Sequence, residues 1–187
     1  MNKKFAAAVS GGAVLMLVLS GCGGDDGDEK ANAWAKKVCD KWQPELKKIE
    51  NANADIKRVA TESSKPDEVQ TTDSAAFGSM SGAYQSMGNA LQGAGVPPVK
   101  DGQTTQEAAV KGFAATSKGY ADLKTKMEGL DPKDQTKFAE GLKEVAGGLE
   151  AATQGGKDAL NTLKTGGLDK AMNGQKGCQV TTPSPAK

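Results

Sequence analysis

The chain has 187 residues, with 24 Lys and Arg against 23 Asp and Glu, three Cys and no His. That length suits one domain, and the missing His removes imidazole bases, His metal ligands and the usual catalytic triads. A formal charge of +1 leaves no basic excess to neutralise phosphates, which argues against a dedicated nucleic-acid binder.

Lys3 and Lys4 precede an apolar stretch, Phe5 to Leu19, interrupted by Ser10, Gly11 and Gly12. At about 15 residues it falls short of the ~20 that a spanning helix needs, and it has the layout of an export signal. It runs into Leu19-Ser20-Gly21-Cys22. These four residues resemble the lipobox of bacterial lipoproteins, and every position fits. The resemblance implies that residues 1–21 are a signal peptide cut between Gly21 and Cys22. It also implies that the Cys22 thiol carries a diacylglycerol and that the protein is anchored at the extracytoplasmic face of the cell membrane. Cleavage removes Lys3 and Lys4, leaving 22 basic against 23 acidic residues. Attachment then rests on acyl chains, at ~0.8 kcal/mol per buried methylene, rather than on charge.

Residues 22–32 read as a solvated tether, because Gly and acidic residues cannot bury enough apolar surface to order themselves. Asp25, Asp26, Asp28 and Glu29 lack the alternating ligands and terminal Glu of a calcium loop. In an exported domain the two remaining cysteines, Cys39 and Cys178, point to one disulfide. No Cys-x-x-Cys pair exists and no His can complete a zinc set.

Residues 33–178 are expected to form an all-α domain, an antiparallel up-down four-helix bundle whose core is built from Ala, Leu, Val and Met rather than from large rings. Helix one is placed from Lys30 to Ser64, on Trp34, Val38, Trp42, Leu46, Ile49, Ile56 and Val59, which share one face. Pro44 is expected to kink or restart it. Helix two, Asp67 to Gln92, carries Phe77, Met80, Tyr84, Met87 and Leu91 in the three-four rhythm of bundle packing. The loop from Val96 to Gln103 follows. Helix three, Thr104 to Gly129, starts on a Thr104/Glu107 capping box and turns Val110, Phe113, Ser117, Tyr120, Leu123 and Met127 inward.

Helix four, Pro132 to Thr165, is capped by Asp131 and faces inward with Phe138, Leu142, Val145, Leu149, Ala152, Gly156, Ala159 and Leu163. Gly141, Gly148 and Gly155 recur every seven residues, a spacing suited to close helix approach or to an open groove. Gly166-Gly167 ends the helix, and a short turn through Leu168 and Met172 leads to Cys178. Short connectors favour antiparallel neighbours. Up-down order brings the start of helix one, the end of helix four and the Val96–Gln103 loop to one pole, where the disulfide joins helix one to the C-terminal segment. Residues 179–187 form a disordered, Pro-bearing tail.

No residue is assigned a catalytic, cofactor-binding or metal-binding role. Lys157 is followed by Asp158 rather than Ser or Thr, so no P-loop exists. Ser184 and Lys187 have Ser-x-x-Lys spacing but sit in the polar tail. Met80, Met87 and Met127 belong to the seam, as gap-fillers rather than copper ligands. Glu140, Glu144 and Glu150 are placed on the exposed face of helix four with Lys137, Lys143 and Lys157. Trp34 and Trp42 stand eight apart on one face, a spacing open to a partner-binding patch, but are expected to be buried near the disulfide.

The lipobox, the Gly/acidic tether, the Trp34–Trp42 segment around Cys39 and the late Cys178 are similar in layout to small secreted lipoproteins of Gram-positive actinobacteria. The expected function is a non-catalytic binding or interaction module of the cell envelope, presenting a bundle face or the Val96–Gln103 loop to an envelope partner. The alternative is a carrier of a small apolar ligand between the helices. Neither involves nucleic acid.

Overall fold

The computed structural model describes residues 25–61 and 63–179. Gly21, Cys22 and residues 180–187 of the expected tail lie outside them. The described residues are all-helical, with no strand: α1 (Asp25–Val59), α2 (Pro66–Ala94), α3 (Gly102–Glu128), α4 (Gln135–Leu163) and α5 (Asp169–Asn173). A π-type turn over Lys164–Leu168 links α4 to α5, and a 3-10 turn over Lys176–Cys178 reaches the disulfide. The break falls at Gly167, where φ is +92°, a value that costs glycine nothing.

Each long helix packs against the next, with contacts in opposite chain order. Trp34 and Trp42 near the start of α1 donate to Gly95 and Met87 at the end of α2, while Arg58 meets Glu68 at the other end. Gln106 opens α3 against Leu91, and Gln70 opens α2 against Met127. Tyr120 reaches Thr153, and Lys126 reaches Glu144, between α3 and α4. Among the described residues α1 and α4 make almost no close backbone approach; α5 and the 3-10 turn pack on α1 instead. The bundle is therefore clasped by its C-terminal segment, through Cys39–Cys178 with Cα atoms 4.9 Å apart.

The α2 seam is buried throughout, from Phe77 through Met80, Tyr84 and Met87 to Leu91. Rings matter more than their small number suggests. Phe77 lies 6.4 Å from Tyr120, Tyr120 stacks on Tyr84 at 5.5 Å, Tyr84 lies 6.1 Å from Phe113, and Phe113 meets the edge of Trp42 at 5.3 Å. Each such pair adds about 0.5–1.5 kcal/mol beyond area burial. The expectation of a core of Ala, Leu, Val and Met rather than large rings is corrected in part: those residues make up most of the core, but five of the eight rings form one ladder. On α3, Ala109 and Thr116 are buried, whereas the expected Val110 and Ser117 sit half-buried at the edge.

Two glutamines tie α2 and α3 at both ends. The last carbonyls of a helix have no amide partner within it. Gln106 Nε2 donates to Leu91 O at 2.6 Å and Gly95 O at 2.9 Å, ending α2. Gln70 Nε2 donates to Met127 O at 3.1 Å and Leu130 O at 2.5 Å, ending α3.

Several local expectations are corrected. α1 begins at Asp25 rather than Lys30, so residues 25–32 of the expected tether are helical. Ala31 is already buried, and Asp28 pairs with Lys170 at 2.6 Å. Asp26, Asp28 and Glu29 suit the positive end of a helix dipole. α1 runs through Pro44 without restarting and ends at Val59. Pro44 is exposed, as is Asp40, whose carbonyl loses its amide partner. Asp134, not Asp131, caps α4, accepting from Lys137 N–H at 3.1 Å; Asp131 instead accepts from Lys133 N–H at 2.9 Å. The Lys137 ammonium and amide hold the Asp134 carboxyl below its ordinary pKa. Thr104 lies inside α3, whose cap position is Asp101 with φ +55°. Glu144 bonds across to Lys126 of α3 rather than along its own helix.

The ring ladder explains Gly156. A Cβ there would stand 2.7 Å from Tyr84 Oη and 3.0 Å from Cζ, and the ring is fixed by Tyr120 and Phe113. Gly156→Ala is expected to destabilise by about 1–3 kcal/mol through overpacking. Gly147→Ala, where nothing lies within 4 Å, should stabilise by up to ~1 kcal/mol. Urea unfolding of both variants checks the contrast. Replacing Cys39 and Cys178 together by Ser should cost about 2–5 kcal/mol in the same assay.

Candidate functional site

An open furrow runs along the outside of α3 and α4, with a volume of about 610 Å³. Its α3 wall is Ala108, Gly112, Ala115 and Gly119; its α4 wall is Gly148, Ala151 and Gly155. These steps of four and three put each wall on one helix face. Small residues create the furrow by what they lack. Inward, they let the helices approach: a Cβ on Gly112 would lie 2.9 Å from Ala159 Cβ, and one on Gly148 2.7 Å from Leu123 Cδ2. Outward, they leave the trough unfilled. The seven-residue glycine spacing thus serves close approach, and the groove is its outer side.

Charge is confined to the ends of the furrow. Lys126 and Glu144 close one end with an ion pair of 2.8 Å, which holds the Glu144 carboxyl below its ordinary pKa. Asp122 stands beside them, bonded to Lys118 at 2.6 Å. Asp158 and Thr162 stand at the other end. The middle offers apolar contact and backbone, with the Thr116 hydroxyl spent on Gly112 O.

The loop after α2 lies at the disulfide pole, as expected, because Gly95 O receives both Trp34 and Gln106. Val96 is 56% exposed, a large apolar side chain open to solvent. Its neighbour Pro97 is buried, and Pro97 O accepts from Val99 N–H at 2.9 Å, so Val96 is presented on a fixed turn.

Trp34 and Trp42 are buried, each with its indole N–H on a backbone carbonyl, and form no surface patch. Trp42, Leu46, Leu160, Met172 and Cys178 bound a small space of about 90 Å³. Met80, Met87, Met127 and Met172 are buried in the core. Among the described residues no group of three or more His, Cys, Asp or Glu gathers. Burial raises the Tyr84 hydroxyl to about 12 and also raises Tyr120.

Sequence reading missed two features. The α3 wall of the furrow was signalled by small residues at 108, 112, 115 and 119, which escape a search for apolar faces. Asp73 is buried on α2; it stands four residues before Phe77 and so continues the seam. Among the described residues no helix is long and apolar enough to cross a membrane. Comparison with family models, curated proteins and solved structures finds no match to this chain.

Proposed function

We propose that the protein is a membrane-anchored extracytoplasmic lipoprotein that acts as a non-catalytic binding module on an envelope protein, with the α3–α4 furrow as its contact surface. The observation that carries this reading is the furrow itself. Its walls are apolar and uncharged over their middle, and it opens outward rather than into the core. A helix or extended segment with small side chains fits such a trough by backbone proximity and dispersion contacts. A carrier of a small apolar ligand needs an enclosed apolar space of about 300 Å³ or more. The space beside Trp42 is about 90 Å³, and the largest core side chains are packed to near-zero exposure. That contrast favours interaction over carriage. The anchor rests on Leu19-Ser20-Gly21-Cys22, with acyl chains supplying the membrane affinity.

Two experiments test the two halves of the proposal. A photo-crosslinking residue at Ala115, in the furrow, should capture a discrete partner in living cells, while one at Ala54, exposed on α1, should not. Ala151→Arg should abolish capture from position 115 while changing stability by no more than ~0.5 kcal/mol, because position 151 is exposed. Equal capture at both positions, or capture unaffected by Ala151→Arg, overturns the furrow assignment. Cys22→Ala should move the protein from the membrane fraction to the soluble fraction; persistence with membranes overturns the anchor.

A further inference from the structure

Asp73 occupies a position that its chemistry does not suit. It extends the α2 seam of Phe77, Met80, Tyr84, Met87 and Leu91 by one further step of four. It is 8% exposed, and its Oδ1 is buried with no hydrogen-bond partner. Its neighbour Ser74 spends its hydroxyl on Gln70 O and Thr71 O.

Among the described residues, the paired charges at this end of the bundle have partners other than Asp73. On α1, Arg58 pairs with Asp55 and with Glu68 of α2. On α3, Lys124 pairs with Glu128, and Lys126 with Glu144 of α4. At the start of α4, Lys137 pairs with Asp134. Lys57, Lys65, Asp67, Asp131, Lys133 and Glu140 also belong to this end, and all are exposed; none forms a hydrogen bond or ion pair with Asp73. An ionised carboxylate there has its Oδ1 withdrawn from water without gaining a donor.

Non-covalent contacts alone hold this end among the described residues. The disulfide clasps the opposite pole. Here the helix ends are held by the buried Val59, Met127 and Phe138, by the partly buried Ile56, Val69, Leu130 and Leu142, and by the Gln70 bonds to the end of α3.

We propose that this end of the bundle is a pH-sensitive element: the helix ends pack together around a protonated Asp73 and separate when its carboxyl ionises. The proton is held more tightly in the closed end, where burial raises the carboxyl from 3.8 to about 6, than in the open end, where water restores the ordinary value. Closure is therefore favoured below about pH 4, weakens as pH rises towards 6, and levels off above it. The change is local, because the ring ladder and the clasp lie on the disulfide side of Phe77.

Hydrogen exchange of the full chain, corrected for intrinsic rates, reads this directly. Amides of residues 66–76 and 124–138 are expected to exchange about tenfold faster at pH 7.5 than at pH 5, the factor implied by pKa values near 6 and 3.8. Amides of residues 84–91 and 106–113 should not show that change. Asp73→Asn keeps the shape and removes the charge, so it should flatten the pH dependence. A carboxyl NMR titration of the unsubstituted protein should place the Asp73 midpoint near 6, and requires no variant to fold. A midpoint near 4, pH-independent exchange at 66–76 and 124–138, or an unchanged pH dependence in Asp73→Asn overturns the proposal.

Discussion

The ring of Tyr84 lies almost parallel to Tyr120, 5.5 Å away, and its hydroxyl comes to the backbone of α4 at a residue with no side chain. That contact sets the spacing of three helices at once. α2 and α3 are held at the width of stacked rings, and α4 closes over them only because Gly156 leaves room. The neighbouring small residues on α3 and α4 follow from the same constraint. Once α4 is drawn down to the ring ladder, its contacts with α3 must be made at positions such as Gly112 and Ala159, where the Ala159 methyl leaves no room for a second one on Gly112.

The same packing explains the asymmetry. A bundle of four equal helices would close by bringing the last against the first. Here α4 is committed to α3, and the end of the chain turns at Gly167 to lay α5 and the 3-10 turn on α1. The disulfide fixes that lid, burying Cys39 and leaving Cys178 half-buried. Covalent closure at one pole and hydrogen-bonded closure at the other give the two ends different tolerance for strain. It is at the second end that α2 carries a carboxyl in its core seam.

The order, helicity and pairing of the elements were legible because the apolar residues of α2 and α4 recur in unbroken steps of three and four. The pairing of Cys39 with Cys178 followed because no other cysteine remained for either once Cys22 was set aside. The helix starts were less legible. Asp131 and Asp134 are chemically equal caps, and only the path of the connector decides between them. A run of Asp and Glu looks like a solvated spacer until the helix dipole and Lys170 give it partners, as they do for Asp28. The furrow was half visible in the glycines of α4, but its other wall depends on which helix lies opposite. Asp73 was invisible to a search for apolar periodicity, since it belongs to the period without being apolar.

The early start of α1 changes how an anchored molecule would stand. With helix from Asp25 onward, Gly23 and Gly24 alone separate it from Cys22. The residues between Asp25 and Trp34 add about 14 Å of rigid rise before the Val96 loop is reached. An acylated molecule would carry its bundle on a link of two residues, within a short reach of the lipid. The α3–α4 trough would then meet only partners that reach down close to the membrane surface.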